Sequence, residues 1–434
     1  MDSATQRLRA DYDEAPYGSL VHPASAPDHL AAVAHLFGID VPPIATARVL
    51  EIGCASGANL LPFAAAHPRA AVVGIDLSGV QIAAGRRAAK AMGLRNVTLV
   101  HGDIAELAVD ALGQFDFVIC HGVYSSVPEH VREAVLAAIR ATLNPDGVAY
   151  VSYNVYPGWK SKEVLRDFLT RFDNPDGRPA ERARRARTLI DFLGGVAPAG
   201  SELERLVATY LSTSGQIGDN YLLHEELERC NFPCYFVDFV ERLDAHDLTY
   251  LADSQTETMY AANHTPATAQ RLLEECASQL ELEQCLDFVS NRTFRQSLVV
   301  HAERATHIRY DVGPSRFRRL HFATRLPVTD GFTRFDHTNQ HYGEAGNRQI
   351  YTNDHGVKAA LDVLTARWPQ TVAWPDLVEA AHERLTRAGL EAPEDLPARI
   401  DLLLQMLIVR GLVGYRLDPV APGDDPIAPS MFTR

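Results

Sequence analysis

The sequence has no apolar stretch that approaches the ~18 uninterrupted residues required by a membrane-spanning helix. Residues Met1 to Glu14 are polar and charged, and they lack the apolar core of an export signal. We therefore expect a chain without a transmembrane helix and with a cytoplasmic location.

Cysteine is scarce, with six residues in 434. That number is too small for the disulfide framework of a secreted domain. Cys230 and Cys234 have three residues between them, and His224 lies nearby, so a metal site is one interpretation. No second pair of ligands at zinc-finger spacing accompanies them, which favours buried thiols and predicts no metal.

Positive charge is also in short supply. The 41 basic residues are outnumbered by 55 acidic ones, which gives a formal net charge of −14. Such a chain is a poor general partner for nucleic acid or an anionic membrane. Hydrophobic residues nevertheless make up 46% of the sequence, which is enough for a folded chain of roughly three domains.

Short apolar runs alternate with helical patterns in the first third of the chain. The runs fall at residues 48–52, 71–75, 96–100, 115–120 and 148–153, and helices are predicted at 59–67, 79–92 and 128–143. A turn is predicted at 144–147. Wholly apolar strands separated by helices indicate a parallel sheet covered on both faces. The predicted fold class is therefore α/β, a doubly wound Rossmann-like domain.

The pattern changes after the fifth predicted strand. Residues 160–228 are predicted to be a mostly helical insertion, and two strands at 235–240 and 248–251 would extend one edge of the sheet. Residues 265–301 are helical and then mixed. We expect a first domain over residues 1–255 and a middle, regulatory domain over 256–340.

The last segment, residues 341–434, predicts a winged-helix-like domain. Three helices are expected near 357–367, 374–388 and 396–409, followed by a strand at 411–415. Many winged helices bind DNA, but this segment has an acidic balance. Packing or contact with a partner protein is the favoured interpretation.

A glycine-rich loop follows the first predicted strand in Glu51-Ile52-Gly53-Cys54-Ala55-Ser56-Gly57. Glycines allow a sharp turn and a close approach to a ligand at a helix N-terminus. Asp76 ends the second strand, where a carboxylate can accept hydrogen bonds from ribose hydroxyls. Loop and carboxylate together predict a cofactor that contains a nucleoside.

The charge of the loop identifies the kind of cofactor. Glu51 would repel the pyrophosphate of a dinucleotide by about 4 kcal/mol at ~4 Å and an effective dielectric of 20. The methyl donor S-adenosylmethionine has no phosphate, and its ammonium and sulfonium are attracted by carboxylates. Glu51, Asp76 and Asp103 end three successive strands, which favours S-adenosylmethionine.

The chain resembles class I S-adenosylmethionine-dependent methyltransferases, and within them the group with a methyltransferase regulatory domain. The resemblance rests on the glycine loop and on residues 12–17, 74–78, 121–125, 152–159 and 287–296. This group includes bacterial protein-lysine methyltransferases that act on outer-membrane proteins. The resemblance implies that the cofactor-binding residues are Tyr12, Glu51, Gly53, Cys54, Ala55, Gly57, Asp76, Leu77, Asp103, Ile104 and His121.

Methyl transfer is an in-line displacement, so the protein chiefly has to position the nucleophile and exclude water. Phenols and an amide oxygen at the strand ends are suited to aligning a neutral amine. The candidate catalytic residues are Tyr153, Asn154, Tyr124, Tyr17 and Trp159. Tyr12 and Tyr17 lie in an N-terminal segment that we expect to fold over the site as a lid.

Three arginine-rich stretches are expected to have structural rather than catalytic roles. Residues 291–295 and 316–319 are expected to pair with acidic neighbours, with docking of an acidic protein as the alternative. Residues 182–187 are expected to form a solvated helix face. No Asn-Pro-Pro-Tyr loop follows the fourth strand, which argues against methylation of a nucleobase.

The favoured function is methylation of lysine side chains on a protein or peptide substrate. A methyltransferase for small molecules or peptide natural products remains an alternative, as does a non-catalytic protein that binds the cofactor. The sequence leaves the acceptor and the oligomeric state, including a homodimer, open.

Overall fold

The protein is described by a computed structural model that covers residues 3–214, 218–219, 222–344 and 349–420. The backbone divides into two compact units, each built from separate stretches of the chain. The first unit comprises Met1–His22, Pro42–Tyr250 and Glu283–Glu303, and the second comprises Pro23–Val41, Leu251–Leu282 and Arg304–Arg434. Over the described residues, none of the helices combines the length and the apolarity needed to span a bilayer.

A seven-stranded sheet forms the centre of the α/β fold. Its strands are β1 (Arg48–Ile52), β2 (Ala71–Asp76), β3 (Val97–His101), β4 (Phe115–Cys120), β5 (Leu143–Asn154), β6 (Leu248–Asp253) and β7 (Phe294–His301). They are arranged in the order β3-β2-β1-β4-β5-β7-β6. The pairs among β1 to β5 are parallel, and β7 is antiparallel to β5. The predicted doubly wound α/β class is confirmed.

Two helices, α1 (Ser3–Glu14) and α2 (Pro27–Leu36), precede the first strand. The three predicted helices between parallel strands are confirmed as α3 (Leu60–Ala66), α4 (Gly79–Ala91) and α5 (Glu129–Thr142). All six residues of β4 are buried, because this central strand is covered on both faces.

The turn predicted at residues 144–147 is replaced by an irregular part of β5. Phe115 pairs with Leu143, but Phe117 pairs with Val148, so the longer stretch of β5 bulges out of the ladder. Asn144 donates a hydrogen bond of 2.6 Å to Asp116 and secures this bulge to β4. The residues Pro145, Asp146 and Gly147, which predicted a turn, therefore lie in the bulge of β5.

The strand predicted at residues 235–240 is wrong. Residues Phe236–Asp244 form a helix, because Phe236, Phe239, Val240 and Leu243 recur at helical spacing and are all buried. The outer strand predicted at 248–251 is confirmed as part of β6. The strand between β5 and β6 is β7. It lies in residues 265–301, which were predicted to be helical and then mixed.

The predicted helical insertion is confirmed. It comprises α6 (Gly158–Phe172), α7 (Pro179–Val196), α8 (Glu202–Ser214) and a short π-helical turn at Leu222–Glu226. These elements share an apolar core that includes Leu169, Ile190 and Leu222. Arg182 corrects the expected solvated face: its side chain is buried against Asp173, whereas Arg184 and Arg185 are exposed.

The three helices predicted near the C-terminus are confirmed at His355–Arg367, Trp374–Arg387 and Leu396–Val409. A small sheet accompanies them, with the order Val372–Ala373, His321–Ala323, Gly414–Arg416. The winged-helix shape and the three domain boundaries stay predictions. Arg316 and Arg319 pair with Asp40, and Arg318 pairs with Asp401, as expected for arginines that stabilise the fold.

A fully buried arginine holds β7 to the helix that precedes it. Arg295 donates hydrogen bonds to Asp287 and Glu283 at 2.8 and 2.9 Å. Its guanidinium lies 3.7 Å from the centre of the Phe236 ring, and the Tyr250 hydroxyl also donates to Glu283 at 2.7 Å. Two carboxylates thus share one cation, as expected for an arginine of this stretch that pairs with acidic neighbours.

Replacing Arg295 should destabilise the protein more than replacing an exposed arginine does. Arg295→Met leaves two buried carboxylates without a cation, and we expect a loss of ~3–5 kcal/mol in the free energy of unfolding. Chemical denaturation monitored by circular dichroism measures the loss. Arg178→Met, at a side chain that is 81% exposed, is the matched control and should change stability by less than ~0.5 kcal/mol. Equal losses in both variants would contradict this account.

Candidate cofactor and acceptor site

A cavity of about 220 Å³ opens where the parallel strands of the first unit end. Its floor is formed by the strand ends and the loops after them, namely residues 53–55, 76–77, 121–123 and 152–154. Two other walls come from residues 17–20 of the N-terminal segment and from His224 and Glu225 of the insertion. Ligands in open α/β sheets bind at this edge, where the strand order reverses.

The glycine loop borders the cavity, and its conformation at Gly53 leaves no room for a side chain. Gly53 has a φ of +76°, and a Cβ atom there would lie 2.2 Å from Cγ2 of Val123. Ala55 also adopts a positive φ, 48°, and its amide donates to Asp76 at 2.7 Å. The loop is therefore folded onto the carboxylate that ends β2, and the space next to it is left open.

Glu51 is buried beneath this loop with only half of its carboxylate satisfied. Asn59 donates to Oε1 at 2.9 Å, whereas Oε2 has no hydrogen-bond partner among the described residues. Burial raises the pKa of Glu51 to about 7, and the charge of Asp76 adds to the rise, while the Asn59 hydrogen bond opposes it. An orphaned, buried carboxylate oxygen at a cavity is suited to a cationic ligand that carries N–H donors.

Asp76 is positioned by backbone amides on both sides. Its Oδ2 accepts from Ala55 and its Oδ1 accepts from Ser78 at 2.8 Å. Burial raises its pKa, although these two hydrogen bonds act in the opposite direction. Each carboxylate oxygen retains a second lone pair, so the side chain can also accept from vicinal ribose hydroxyls.

The N-terminal segment lies against the site, as the lid expectation requires. Tyr12 stacks on His224 with ring centres 4.7 Å apart, and Nε2–H of His224 donates to the carbonyl of Ala15 at 2.6 Å. Gln81 donates to the carbonyl of Tyr17 at 2.8 Å. These contacts join the segment both to the insertion and to the helix after β2.

A pair of stacked imidazoles closes another side of the cavity. The rings of His22 and His121 are 3.7 Å apart, and Nδ1 of His121 lies 2.9 Å from the Tyr150 hydroxyl. Burial lowers the pKa of His121 to about 3, with a further decrease from His22. Burial also lowers the pKa of His22. Both rings are therefore neutral at physiological pH, which makes the stack compatible with a cationic ligand nearby.

Two of the predicted catalytic residues line the cavity at the end of β5. The Tyr153 hydroxyl lies 3.1 Å from Oγ of Ser297, so it is engaged inside the sheet. Asn154 donates through Nδ2 to Asn231 at 2.9 Å, and this bond fixes the orientation of the amide. Its Oδ1 accepts no hydrogen bond from the part of the chain that the structure describes. Asn154 thus offers an acceptor oxygen to the cavity, whereas Tyr153 contributes its ring.

Most of the predicted residues meet at the cavity. Its lining includes Tyr12, Tyr17, Glu51, Gly53, Cys54, Ala55, Asp76, Leu77, His121, Tyr153 and Asn154. Five others do not line it: Gly57, Asp103, Ile104, Tyr124 and Trp159.

The predicted residues outside the lining have structural surroundings. Asp103 accepts from the amide of Ala105 at 3.0 Å, and Ile104 packs on an apolar cluster with Tyr12. The Tyr124 ring lies in the aromatic core, edge-on to Phe239. Trp159 is likewise buried, with the Lys162 ammonium over its ring. Gly57 turns the loop through its positive φ of 78°.

Several cavity residues were not predicted. They are Leu8, Gly18, Ser19, Leu20, His22, Asn59, Gln81, Gly122, Val123, Ser125, Ser126, Val127, Ser152, His224, Glu225 and Phe294. Asn59 sits eight residues after Glu51, at the start of α3, and that position was a usable signal. His224 and Glu225 gave none, because only the folded insertion brings them to the strand ends. No cluster of three or more metal-ligating side chains occurs among the residues with described positions.

Comparisons with known proteins agree with this geometry. A family model described as a methyltransferase domain matches residues 49–147. A second, described as a predicted methyltransferase regulatory domain, matches residues 218–301. The uncharacterized protein RP028 of Rickettsia prowazekii is 33% identical over 242 residues, which are 54% of this chain and 94% of RP028. The chain belongs to the class I S-adenosylmethionine-dependent methyltransferases with a regulatory domain.

Two further relatives extend the similarity. The uncharacterized protein RP789 of Rickettsia prowazekii is 36% identical over 291 residues, which cover 67% of this chain but only 52% of RP789. The chain therefore spans about half the length of that relative. The structure of PKMT2 from Rickettsia typhi matches with a TM-score of 0.82 and 27% identity, over 93% of this chain and 77% of that one.

These matches confirm the family resemblance and, at the level of the family, the predicted cofactor. PKMT2 has also been solved in complex with AdoHcy, the demethylated form of the donor. The roles of individual residues stay predictions. The partly satisfied Glu51 carboxylate fits the ammonium of S-adenosylmethionine. The remaining lone pairs of the Asp76 carboxylate fit the hydroxyls of its ribose.

Glu51→Gln should make the ligand-free protein more stable and bind the cofactor less well. The raised pKa of Glu51 means that its stabilising contribution is present below pH ~4.5 and is lost as the pH rises through about 7. At pH 8 the variant should therefore exceed the wild type by up to ~3 kcal/mol in unfolding free energy. The difference should shrink as the pH falls and vanish below pH ~4.5.

Cofactor affinity should change in the opposite direction. We expect wild-type affinity for S-adenosylhomocysteine to rise as Glu51 ionises up to pH ~7 and then to level off. Glu51→Gln should bind about tenfold more weakly at pH 8, without that rise. Isothermal titration calorimetry at pH 6, 7 and 8 measures both effects. A variant with wild-type affinity at pH 8 would rule out contact between Glu51 and the ligand ammonium.

Proposed function

We propose that this protein transfers methyl groups from S-adenosylmethionine to lysine side chains of a protein substrate. The observation that carries the proposal is the cavity of the first unit, where buried carboxylates meet an amide oxygen at the end of β5. The similarity to PKMT2, a protein lysine methyltransferase, over 93% of the chain supports a lysine acceptor.

The bound cofactor would supply an electrophilic methyl group on a sulfonium. The chain's own residues have to bind that cation, align the acceptor nitrogen and keep water out. We assign the first task to Glu51, for the ammonium, and to Asp76, for the ribose. The N-terminal segment, with Tyr12 and Tyr17, is placed for the exclusion of water.

Acceptor alignment is assigned to Asn154. A lysine nitrogen becomes nucleophilic only after it has lost a proton, and an amine then keeps N–H donors that must be directed. The Oδ1 atom of Asn154 can accept one of these N–H groups while Asn231 holds the amide from the other side. The engaged hydroxyl of Tyr153 leaves this residue with packing against Phe239 as its main contribution.

Labelled cofactor tests the substrate class directly. The protein is incubated with radiolabelled S-adenosylmethionine and bacterial lysate protein, either untreated or guanidinated with O-methylisourea. Guanidination converts lysine to homoarginine, so the positive charge is kept while the reactive amine is lost. We expect label in the untreated protein and only background in the guanidinated sample. Equal label in both would exclude lysine, and label confined to small metabolites would favour a small-molecule methyltransferase.

The two neighbouring residues of β5 should differ in their effect on turnover. Asn154→Ala should lower kcat by ~10²-fold, because the acceptor nitrogen loses its alignment. Tyr153→Phe should keep kcat close to wild type, because only the hydroxyl that lies against Ser297 is removed. Steady-state methyl transfer with calorimetric binding of S-adenosylhomocysteine as control separates alignment from cofactor affinity. A larger loss for Tyr153→Phe would reverse the assignment.

The proposal includes a cytoplasmic location. All six cysteines are free thiols, which is the usual state in a reducing compartment. The winged-helix-like end is proposed to contact protein rather than DNA, since its charge balance is acidic.

A further inference from the structure

Glu225 is the one carboxylate of the cavity that does not come from a strand end. It lies in the π-helical turn of the insertion and is half-buried. Glu51 and Asp76 come from the ends of β1 and β2. The cavity lining therefore takes negative charge from two separate parts of the chain, the sheet and the insertion.

The Glu225 carboxylate has no hydrogen bond or ion pair to any described residue. Its charged neighbours act only at longer range. Glu226 lies in the same turn, Glu228 follows that turn, and Lys162 and Arg166 lie on α6. The phenols of Tyr12 and Tyr17, from the N-terminal segment, are uncharged neighbours. A carboxylate that loses water without gaining a partner is costly unless a ligand supplies the cation.

A cofactor held by Glu51 and Asp76 would lie along the strand ends, so an acceptor for in-line displacement would have to enter from another side of the cavity. We propose that Glu225 is the carboxylate that selects a cationic acceptor side chain and receives its proton. The proposal rests on the proposed function and deepens it by assigning the recognition of the lysine ammonium to the insertion.

The proton balance follows from these groups. The ammonium transfers one proton to the Glu225 carboxylate, which leaves a neutral amine and a carboxylic acid. The nitrogen lone pair then forms the new N–C bond as the S–C bond breaks, and the electron pair stays on sulfur. Burial raises the pKa of Glu225 to about 7, with Glu226 adding to the rise, so the acid can return its proton to solvent near neutral pH.

Two cofactor analogues test this assignment without an acceptor protein. Sinefungin carries a protonated amine where the donor carries its methyl group, whereas S-adenosylhomocysteine carries nothing there. We expect the wild type to prefer sinefungin by about tenfold, as for a charge-assisted hydrogen bond. Glu225→Gln should lose this preference and keep its affinity for S-adenosylhomocysteine. Glu202→Gln, an exposed carboxylate of the same insertion, is the matched control and should behave as wild type.

The wild type alone provides a second readout. The ratio of the two affinities cancels the contribution of Glu51, which acts on both ligands. The ratio should fall as the pH drops below about 7 and Glu225 becomes protonated. Thermal unfolding of each variant shows whether it is folded.

Three results would overturn the proposal: no preference for sinefungin in the wild type, a preference retained in Glu225→Gln, or an equal loss of both affinities in that variant. The last would assign Glu225 to cofactor binding. Each leaves the lysine proposal intact, because that proposal is decided by methyl transfer to untreated and guanidinated protein.

Discussion

The constraint on which the site depends is a carboxylate buried at the end of β1, one oxygen of which has no hydrogen-bond partner in the described part of the chain. Desolvation makes the charge of Glu51 unfavourable in the ligand-free protein, and Asp76 adds to the penalty. Such an arrangement lowers stability in order to favour a cation. It also explains why a glycine loop that resembles a dinucleotide site is unsuited to a pyrophosphate.

The rest of the cavity completes this electrostatic design from distant parts of the chain. Residues 17–20 and the turn at Leu222–Glu226 line the cavity at the strand ends. The ring of His224 in that turn contacts the rings of both Tyr12 and Tyr17. Neutral imidazoles at His22 and His121 add a wall that does not repel a cation. The cavity lining thus combines carboxylates of the sheet, Glu51 and Asp76, with one carboxylate of the insertion, Glu225.

How far the sequence predicts this protein depends on the range of the interactions involved. Local patterns predict the strands β1 to β5 and the helices between them. They also predict that Glu51 and Asp76 lie together at the strand ends, as the cavity lining confirms. The helix at Phe236–Asp244 was mistaken for a strand because its aromatic, β-branched start has strand propensity. The strand β7 was not predicted, because it contains an arginine, a residue that usually lies at the surface. In the folded protein that arginine is buried, since Glu283 and Asp287 pair with it.

The sequence by itself determined the α/β class, the order of the parallel strands along the chain and the charge of the cofactor loop. Periodicity and strand-end position are properties of neighbouring residues, so no tertiary contact is needed to detect them. Only the tertiary structure decided that Glu225 faces the cavity and that Tyr124 and Trp159 do not line it. Those outcomes depend on how the insertion packs against the sheet, which is a long-range balance of burial that spacing along the chain does not encode.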